Sequence, residues 1–357
     1  MKKPLTIALL LCFLLCSCTS KPKLTKYSNT SAEGCFDTYV SLIAYTESEE
    51  EFNHYFDIVK ENFMTYHQLF DIYHEYEGIN NLKTINDQAG IAPVKVDQKI
   101  IDMLNFVIKA TSINDSFDIT SGNLLSLWHH YRDSVIDPDD EAIQKALPLR
   151  GLEYLEIDDE NDTVYISDPD ISLDVGGIAK GYTAQVVSEI LKAEGLEHGA
   201  LDAGGNIKTI GTKDTGDLWV SAIRNPGLIA SGIVSFVTPL DATVVTSGNY
   251  INFYYAPNGN KYHHIIDLST GYPADYYESV TIITDDSGLA DFLSTTIFTL
   301  PYEKAMEVKQ AFEKAYDTTI SIIFITRADH PLNCPNLIEA EGYNIYYTDD
   351  IAGAINK

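Results

Sequence analysis

The feature that most limits the possible folds of this chain is the alternation of apolar and polar residues between positions 218 and 256. Three stretches in this region alternate and are separated by turn residues: 219–223, 232–237 and 252–255. This pattern is typical of antiparallel sheet. Apolar and aromatic residues recur instead at helical spacing over residues 47–76 and 97–114. Runs of strands with a few long helices predict an α+β fold of mostly antiparallel sheets, rather than a doubly wound parallel sheet.

Composition excludes some classes of partner. The 357 residues include 24 Lys+Arg and 52 Asp+Glu, so the formal net charge is −28. A nucleic-acid backbone requires clustered cations, and so does adsorption to anionic lipid through a basic patch. We therefore expect no nucleic-acid partner. A bound polyphosphate would need a metal ion, helix N-termini and a few local cations.

The N-terminus has the pattern of an export signal. Lys2 and Lys3 precede an apolar run over residues 5–15, which is too short to span a bilayer comfortably. Cys18 follows where cleavage and lipidation of a bacterial lipoprotein would occur; the alternative is an ordinary signal peptide. The sequence thus predicts three segments: a lipoprotein signal peptide over 1–17, a lipidated tether over 18–34 and one folded domain over 35–357. In an exported protein Cys35 and Cys334 could form a disulfide, but the presence of two cysteines so far apart in the sequence is only weak evidence that they pair.

Residues 174–182 (DVGGIAKGY) join a predicted strand to a predicted helix through two glycines. Such a turn lets the backbone approach a ligand, and the helix N-terminus offers N–H groups to an anion. Lys180 in the first helical turn opposes the helix dipole unless it meets an anion or a carboxylate. The segment is not a P-loop, because Tyr182 occupies the position of the essential Lys. A glycine turn with a solvent-facing Lys is the alternative.

A second candidate site lies in the predicted helix that follows Ser287. Asp291 and Thr295 are spaced i, i+4 and share one face of that helix. A carboxylate and a hydroxyl are oxygen ligands that suit Mg²⁺, with water and substrate phosphates completing the coordination. The alternative is a capped surface helix in which the Thr295 hydroxyl bonds a backbone carbonyl.

Two further segments carry candidate groups. His263 and His264 precede residues 267–273 (DLSTGYP), which form a tight turn, and one histidine could act as a general base. The alternative is a strand with one buried and one exposed histidine. Residues 116–120 (SFDIT) form a turn, with Trp128 shortly after it.

Taken together, these segments resemble the ApbE family, the Mg²⁺-dependent FAD:protein FMN transferases. The resemblance runs from about residue 36 to about residue 300 and holds seven motifs in the family's order. They are FDT at 36, SFD at 116, DVGGIAKGY at 174, GGNI at 204, TSGNY at 246, HIID at 264 with TG at 270, and AD at 290 with Thr295. It implies an α+β fold with a tunnelling-fold-like core, FAD as the substrate, and transfer of FMN to a Thr hydroxyl of an acceptor protein.

The resemblance also implies roles for individual residues. The Mg²⁺ ligands would be Asp291, Thr295 and the backbone carbonyl of Gly177. His264 would take the proton of the acceptor, and Lys180 would add a cation for catalysis. The residues expected to contact FAD are Phe36, Tyr73, Ser116, Phe117, Asp118, Asp174, Lys180, His264 and Ile265.

The acceptors of this family resemble subunits of membrane redox pumps and exported electron carriers. The lipid on Cys18 would hold the protein on the outer side of the cytoplasmic membrane or in the periplasm. Two other functions stay open from the sequence: an FAD pyrophosphatase that gives AMP and FMN, and an FAD-binding lipoprotein without catalysis.

Overall fold

The computed structural model describes residues 23–227 and 231–356, without the side chains of residues 32 and 33. Over these ranges it has eight α-helices. They are α1 Glu49–Phe70, α2 Leu82–Asp87, α3 Gln98–Thr111, α4 Gly122–Ser134, α5 Asp140–Ala146, α6 Ala179–Ala193, α7 Ser287–Phe298 and α8 Tyr302–Tyr316. No helix in these ranges has both the length and the apolar character needed to cross a membrane.

The described ranges also contain two short 3-10 helices, Leu152–Tyr154 and Asp349–Ile351. Nineteen strands complete the described elements. They are β1 Thr25–Cys35, β2 Thr38–Thr46, β3 Val94–Lys95, β4 Leu155–Asp158, β5 Thr163–Ile166, β6 Gly199–Ala203, β7 Asn206–Ile210, β8 Val220–Arg224, β9 Gly232–Val237, β10 Thr243–Gly248, β11 Phe253–Tyr255, β12 Lys261–His263, β13 Ile266–Asp267, β14 Tyr272–Pro273, β15 Ser279–Thr284, β16 Ser321–Arg327, β17 Leu337–Ala340, β18 Tyr343–Tyr347 and β19 Ile355–Asn356.

One antiparallel sheet of nine strands organises the molecule, in the order β1-β2-β6-β7-β10-β15-β16-β18-β17. Helices α6 and α7 lie on one face of this sheet, and the small sheet β19-β9-β8 lies on the other. Strand β16 separates the two layers: Ile322 and Phe324 point into the helical core, whereas Ile323 and Ile325 point toward the small sheet. Both faces of the strand are therefore buried, which explains its continuous apolar sequence. The predicted α+β class with antiparallel sheets is confirmed.

Helix α1 is shorter than the spacing of apolar residues over 47–76 predicts. Ser48 caps its N-terminus, because Oγ of Ser48 accepts the N–H of Glu51 at 3.2 Å. The helix ends at Phe70 rather than at residue 76, since Asp71 is extended and its carboxylate accepts the N–H groups of residues 73 and 74. This local hydrogen bonding competes with continued helix.

The predicted tether is partly wrong. Residues 25–34 belong to β1, an edge strand that pairs antiparallel with β2 from Thr25↔Thr46 onward. This pairing provides hydrogen bonds for the backbone groups on one side of β1, and its polar side chains suit an exposed edge. The low apolar content of the segment therefore did not mean that it is an unstructured tether. The predicted signal peptide, Cys18 and residues 19–22 lie outside the described residues.

No disulfide joins Cys35 to Cys334. Cys35 is in β1 and Cys334 directly precedes β17, so they lie at opposite edges of the nine-stranded sheet. Eight strand spacings of about 4.8 Å separate these edges by roughly 40 Å, far beyond the ~7 Å between Cα atoms that a disulfide tolerates.

Candidate active site

The site is built around a close contact between helices α6 and α7 at Gly181. The N–H of Gly181 donates to Oδ2 of Asp291 at 2.8 Å. A methyl group at Gly181 would lie 2.3 Å from the carbonyl oxygen of Ser287, so only glycine allows the two helices to come this close. Ile178, at the N-cap of α6, provides no side-chain cap. Asp291 supplies that cap from the neighbouring helix.

Asp291 is a buried carboxylate without a cationic partner. Asp291 is only 4% exposed to solvent. Across the described ranges no Lys, Arg or His forms an ion pair with it, and the Gly181 N–H is its hydrogen-bond donor. A buried carboxylate with one neutral donor is costly unless a cation compensates it. The position therefore fits a bound cation.

Thr295 lies beside Asp291 and faces the glycine turn. Eleven of the twelve residues of α7 are buried, and Thr295 is the exception. Its Oγ1 lies 3.1 Å from the place that a methyl group at Gly177 would occupy. The hydroxyls of Ser294 and Thr296 bond backbone carbonyls of their own helix, whereas that of Thr295 has no hydrogen-bond partner among the described residues. The alternative of a surface helix with Thr295 bonded to a carbonyl is therefore wrong.

The donor set at this point consists of oxygen atoms. In the part of the chain that the structure describes, no three His, Cys, Asp or Glu side chains cluster as a metal site. A cation here would have the carboxylate of Asp291 and the hydroxyl of Thr295, which lies beside Gly177. The carbonyl of Gly177 is the third ligand that the family resemblance implies, and water or substrate would complete the set. Mg²⁺ typically binds in this way, through one or two carboxylates and substrate phosphates. The residues present therefore fit Mg²⁺.

The glycine turn presents a cation next to this oxygen cluster. The N–H of Gly176 donates to Oδ1 of Asp174 at 2.8 Å, which fixes the turn. Nζ of Lys180 lies 3.3 Å from the carbonyl oxygen of Gly176, and no carboxylate pairs with Lys180 in the residues described. The N–H groups of Ala179 and Gly181 in the first turn of α6 are bonded to the carbonyl of Val175 and to Asp291. Among the described residues this leaves the side-chain charge and the backbone N–H of Lys180 for an anion.

The predicted turn at residues 116–118 packs against the glycine turn. The N–H of Asp174 donates to the carbonyl of Ile119 at 2.7 Å, which joins the two segments. Phe117 lies edge-on to Phe292 of α7 at 5.2 Å between ring centroids, and its ring borders Gly177. Asp118 lies 3.7 Å from the guanidinium of Arg150.

Other bonds fix the rest of this turn. The N–H of half-buried Ser116 donates to the side chain of Asn114 at 3.1 Å. Oδ1 of Asp118 accepts both the N–H and the hydroxyl of Thr120, at 2.9 and 2.7 Å. The three predicted FAD contacts of this segment are thus held in a rigid turn beside Gly177.

Phe36 and Tyr73 lie farther out. Phe36 has a positive φ of 52° in the turn between β1 and β2, and its N–H donates to Nδ1 of His67 at 3.3 Å. The Tyr73 hydroxyl lies 2.9 Å from Nδ1 of His129. Incomplete hydration of the hydroxyl and the carboxylate of Asp174 raise the pKa of Tyr73.

The two histidines differ in the use of their ring nitrogens. Nε2 of His263 lies 2.7 Å from the carbonyl of Ala274, and its Nδ1 accepts the N–H of Ile265 at 3.2 Å. Both nitrogens of this buried ring are occupied, and burial lowers the pKa of His263. The bond from Ile265 also places that residue's side chain in the main core. His263 is thus a structural histidine.

His264 has one nitrogen available. Its Nδ1 lies 3.2 Å from the carbonyl of Asn252, which can only accept, so we assign the proton to Nδ1. Nε2 is then unprotonated and has no hydrogen-bond partner in the described part of the chain. One side of the ring is open to solvent. This is the arrangement of a general base whose tautomer is set by a backbone carbonyl.

The surroundings of His264 keep it neutral. The ring lies in a cleft lined by α4 and by the β11–β12 hairpin. Incomplete hydration in this cleft, the neighbouring His263 ring and the cations of Lys180 and Arg132 lower the pKa of His264 to about 4. The imidazole is therefore unprotonated at pH 7 and can accept a proton.

Three residues of this site escaped the sequence reasoning. Asn252 acts through its backbone carbonyl, and no side-chain pattern marks such a role. Gly181 was visible as a glycine, but the helix packed against it was not. Arg132 lies one helical turn after Trp128 on α4, so the two side chains share the side of the helix that lines the cleft.

Comparison with known proteins is consistent with this geometry. The sequence model of the ApbE family matches residues 36–319. An FAD:protein FMN transferase of Klebsiella pneumoniae is 30% identical over 266 residues, which cover 73% of this chain and 80% of that protein. A protein of the same name from Treponema pallidum is 33% identical over 247 residues, covering 65% of this chain and 68% of its own.

Solved structures have the same fold. The crystal structure of the ApbE protein from Thermotoga maritima has a TM-score of 0.77 at 26% identity, covering 93% of this chain and 100% of that one. The flavin transferase ApbE from Vibrio cholerae has a TM-score of 0.72 at 21% identity, covering 92% of this chain and 100% of that one. The expected ApbE-like fold is confirmed.

Proposed function

This chain belongs to the ApbE family and is a flavin-transferring enzyme, and from that premise we propose that it moves FMN from FAD to a Thr hydroxyl of an acceptor protein in a Mg²⁺-dependent reaction that releases AMP. The observation that carries the proposal is the buried, cation-free carboxylate of Asp291 beside the unbonded hydroxyl of Thr295. A dinucleotide bound here would bring its diphosphate to these oxygen atoms, whose chemistry fits Mg²⁺.

Binding of the diphosphate depends on local charge, because the whole chain carries −28. Lys180 would hold the phosphate oxygens through its side-chain cation and its backbone N–H in the first turn of α6. Asp291, Thr295 and the Gly177 carbonyl would hold Mg²⁺, which supplies charge neutralisation to the diphosphate as AMP leaves.

The aromatic and polar residues around the glycine turn would position the two halves of FAD. Phe117 provides an apolar ring beside Gly177, and Phe36 and Tyr73 would contact FAD farther from the glycine turn. Ser116, Asp118, Asp174 and Ile265 complete the proposed contacts. Such positioning can supply much of the rate of phosphoryl transfer, since it replaces a bimolecular encounter.

His264 would act as the base. The acceptor hydroxyl oxygen forms a bond to the FMN phosphorus, and the P–O bond to AMP breaks. The hydroxyl proton passes to Nε2 of His264. A positioned base of this kind contributes about 10²–10⁴-fold to the rate.

The test is incubation of the full-length enzyme with FAD, MgCl₂ and a purified apo-flavoprotein of the same organism, followed by mass spectrometry of the acceptor. We expect an FMN adduct on one Thr, equimolar AMP, and no adduct in EDTA or on the Thr→Ala acceptor. Release of FMN and AMP with the acceptor intact would instead indicate an FAD pyrophosphatase, which the solvent access to His264 would allow. Bound FAD without AMP release would indicate a binding lipoprotein.

The cellular setting is part of the proposal. The acceptor would be a redox-pump subunit or an exported electron carrier, and the lipid on Cys18 would place the enzyme on the outer side of the cytoplasmic membrane or in the periplasm. Detergent partitioning of the wild type and of Cys18→Ser tests the anchor. Transfer of the wild type alone to the detergent phase is expected, and equal partitioning of both would contradict it.

A further inference from the structure

The β11–β12 hairpin and the bend that leads into it expose an apolar surface beside the proposed base. Ile251 and Tyr255 are 54% and 62% exposed, and Phe253 lies between them in sequence, half-buried. Tyr254 has the opposite orientation and is buried in the cluster around Trp128. We call Ile251, Phe253 and Tyr255 the hairpin face. Large exposed apolar side chains grouped on one element are typical of an interaction site.

The hairpin face is attached directly to His264. Asn252, between two members of the face, accepts both the backbone N–H and the ring Nδ1 of His264, at 3.1 and 3.2 Å. The same backbone that presents the apolar side chains therefore orients the base. A polypeptide bound to the face would lie close to the His264 ring.

The charge around the hairpin face differs from that of the rest of the chain. Residues 242–266 contain no Asp or Glu, although 25 residues would carry between three and four at the average of 52 in 357. Lys261 is their only full charge, and its Nζ lies 4.4 Å from the centroid of the Phe253 ring. The carboxylate of Asp137 meets the hairpin at its far tip, at the N–H of Asn258. An acidic partner repelled elsewhere would not be repelled here.

We propose, resting on the function above, that the hairpin face docks the segment of the acceptor protein that carries the Thr hydroxyl. The segment that fits is apolar beside the Thr, and its flanking charges are negative or absent. In the proposed function FAD binds at the glycine turn, to which no residue of the hairpin face belongs, so this surface sets acceptor affinity and leaves FAD affinity unchanged.

The experiment introduces charge on the hairpin face and on matched positions elsewhere. Ile251→Glu and Tyr255→Glu are compared with Val220→Glu and Leu240→Glu, whose side chains are 54% and 58% exposed outside the hairpin. The probe is the apo-acceptor that gains FMN in the test above. We measure KM for that acceptor, and Kd for FAD by flavin fluorescence as the control for folding.

The hairpin variants should raise KM for the acceptor at least tenfold with Kd for FAD unchanged, whereas the controls should stay within twofold on both. Unchanged KM in both hairpin variants, or an equal rise in the controls, overturns the docking surface while the transfer function stands. A wild type that hydrolyses FAD and labels no acceptor overturns the transfer function and, with it, this surface. A hairpin variant that loses FAD binding is replaced by Ile251→Ser, judged by the same two constants.

Discussion

Substituting Gly181 by Ala should disturb the active site through a distance that can be worked out in advance. The new methyl group would lie 2.3 Å from the Ser287 carbonyl oxygen and 2.4 Å from Cβ of Asp291, whereas ordinary contact begins near 3.4 Å. Helices α6 and α7 must therefore separate by about 1 Å. A misplacement of about 1 Å can cost ~10²-fold in rate, so we expect kcat for AMP release to fall by that factor.

The stability of Gly181→Ala follows from two opposing terms. Ala is favoured over Gly in a helix by about 1 kcal/mol, and forced overlap in a packed core costs about 1–3 kcal/mol. We expect urea unfolding to show a net loss of about 0–2 kcal/mol. Gly353→Ala is the control, because a methyl group there meets nothing within 4 Å. A gain of about 1 kcal/mol with full activity in Gly181→Ala would refute the close contact of the two helices.

Three further predictions concern side chains of the site. Thr295→Val should raise the Mg²⁺ concentration for half-maximal rate at least tenfold without loss of stability, whereas the control Thr296→Val, which loses a bond to a backbone carbonyl, should lose about 0.5–1.5 kcal/mol and keep its Mg²⁺ response. A reversed pattern would place the ligand elsewhere. Asp291→Asn keeps an oxygen for the Gly181 N–H, so it should fold normally but lose Mg²⁺-dependent AMP release; retained turnover would end the metal assignment. His264→Ala should slow transfer about 10²–10⁴-fold with little change in FAD affinity. Since the pKa of His264 is lowered to about 4, wild-type kcat/KM should stay level from pH 8 down to 6 and fall only as the ring protonates below that; a fall centred near pH 6.5 would contradict the lowered pKa.

Local patterns in the sequence predicted the elements that carry the site. The i, i+4 spacing placed Asp291 and Thr295 on one face of α7, and the double glycine placed a turn before α6. Alternation predicted the antiparallel sheets, because period-two patterning depends only on neighbouring residues. The family resemblance assigns Gly177 and Thr295 to one site, and in the structure the two residues lie close together.

Long-range packing was not predictable in the same way. The N–H of Gly181 bonds a carboxylate 110 residues later, and the tautomer of His264 depends on a backbone carbonyl 12 residues earlier. Neither contact leaves a periodic signal. The edge strand β1 was not predicted because its side chains are mostly polar and show no strand pattern. Its backbone hydrogen bonds to β2 hold it in the sheet.

The most direct test of the proposed metal-dependent site is a crystal of this enzyme soaked with FAD and Mn²⁺ in place of Mg²⁺, with the ion located by anomalous scattering. We predict one strong peak within about 2.5 Å of oxygen atoms of Gly177, Asp291 and Thr295 and of the FAD diphosphate. A diphosphate bound elsewhere, or an ion that none of these three residues contacts, would contradict the account.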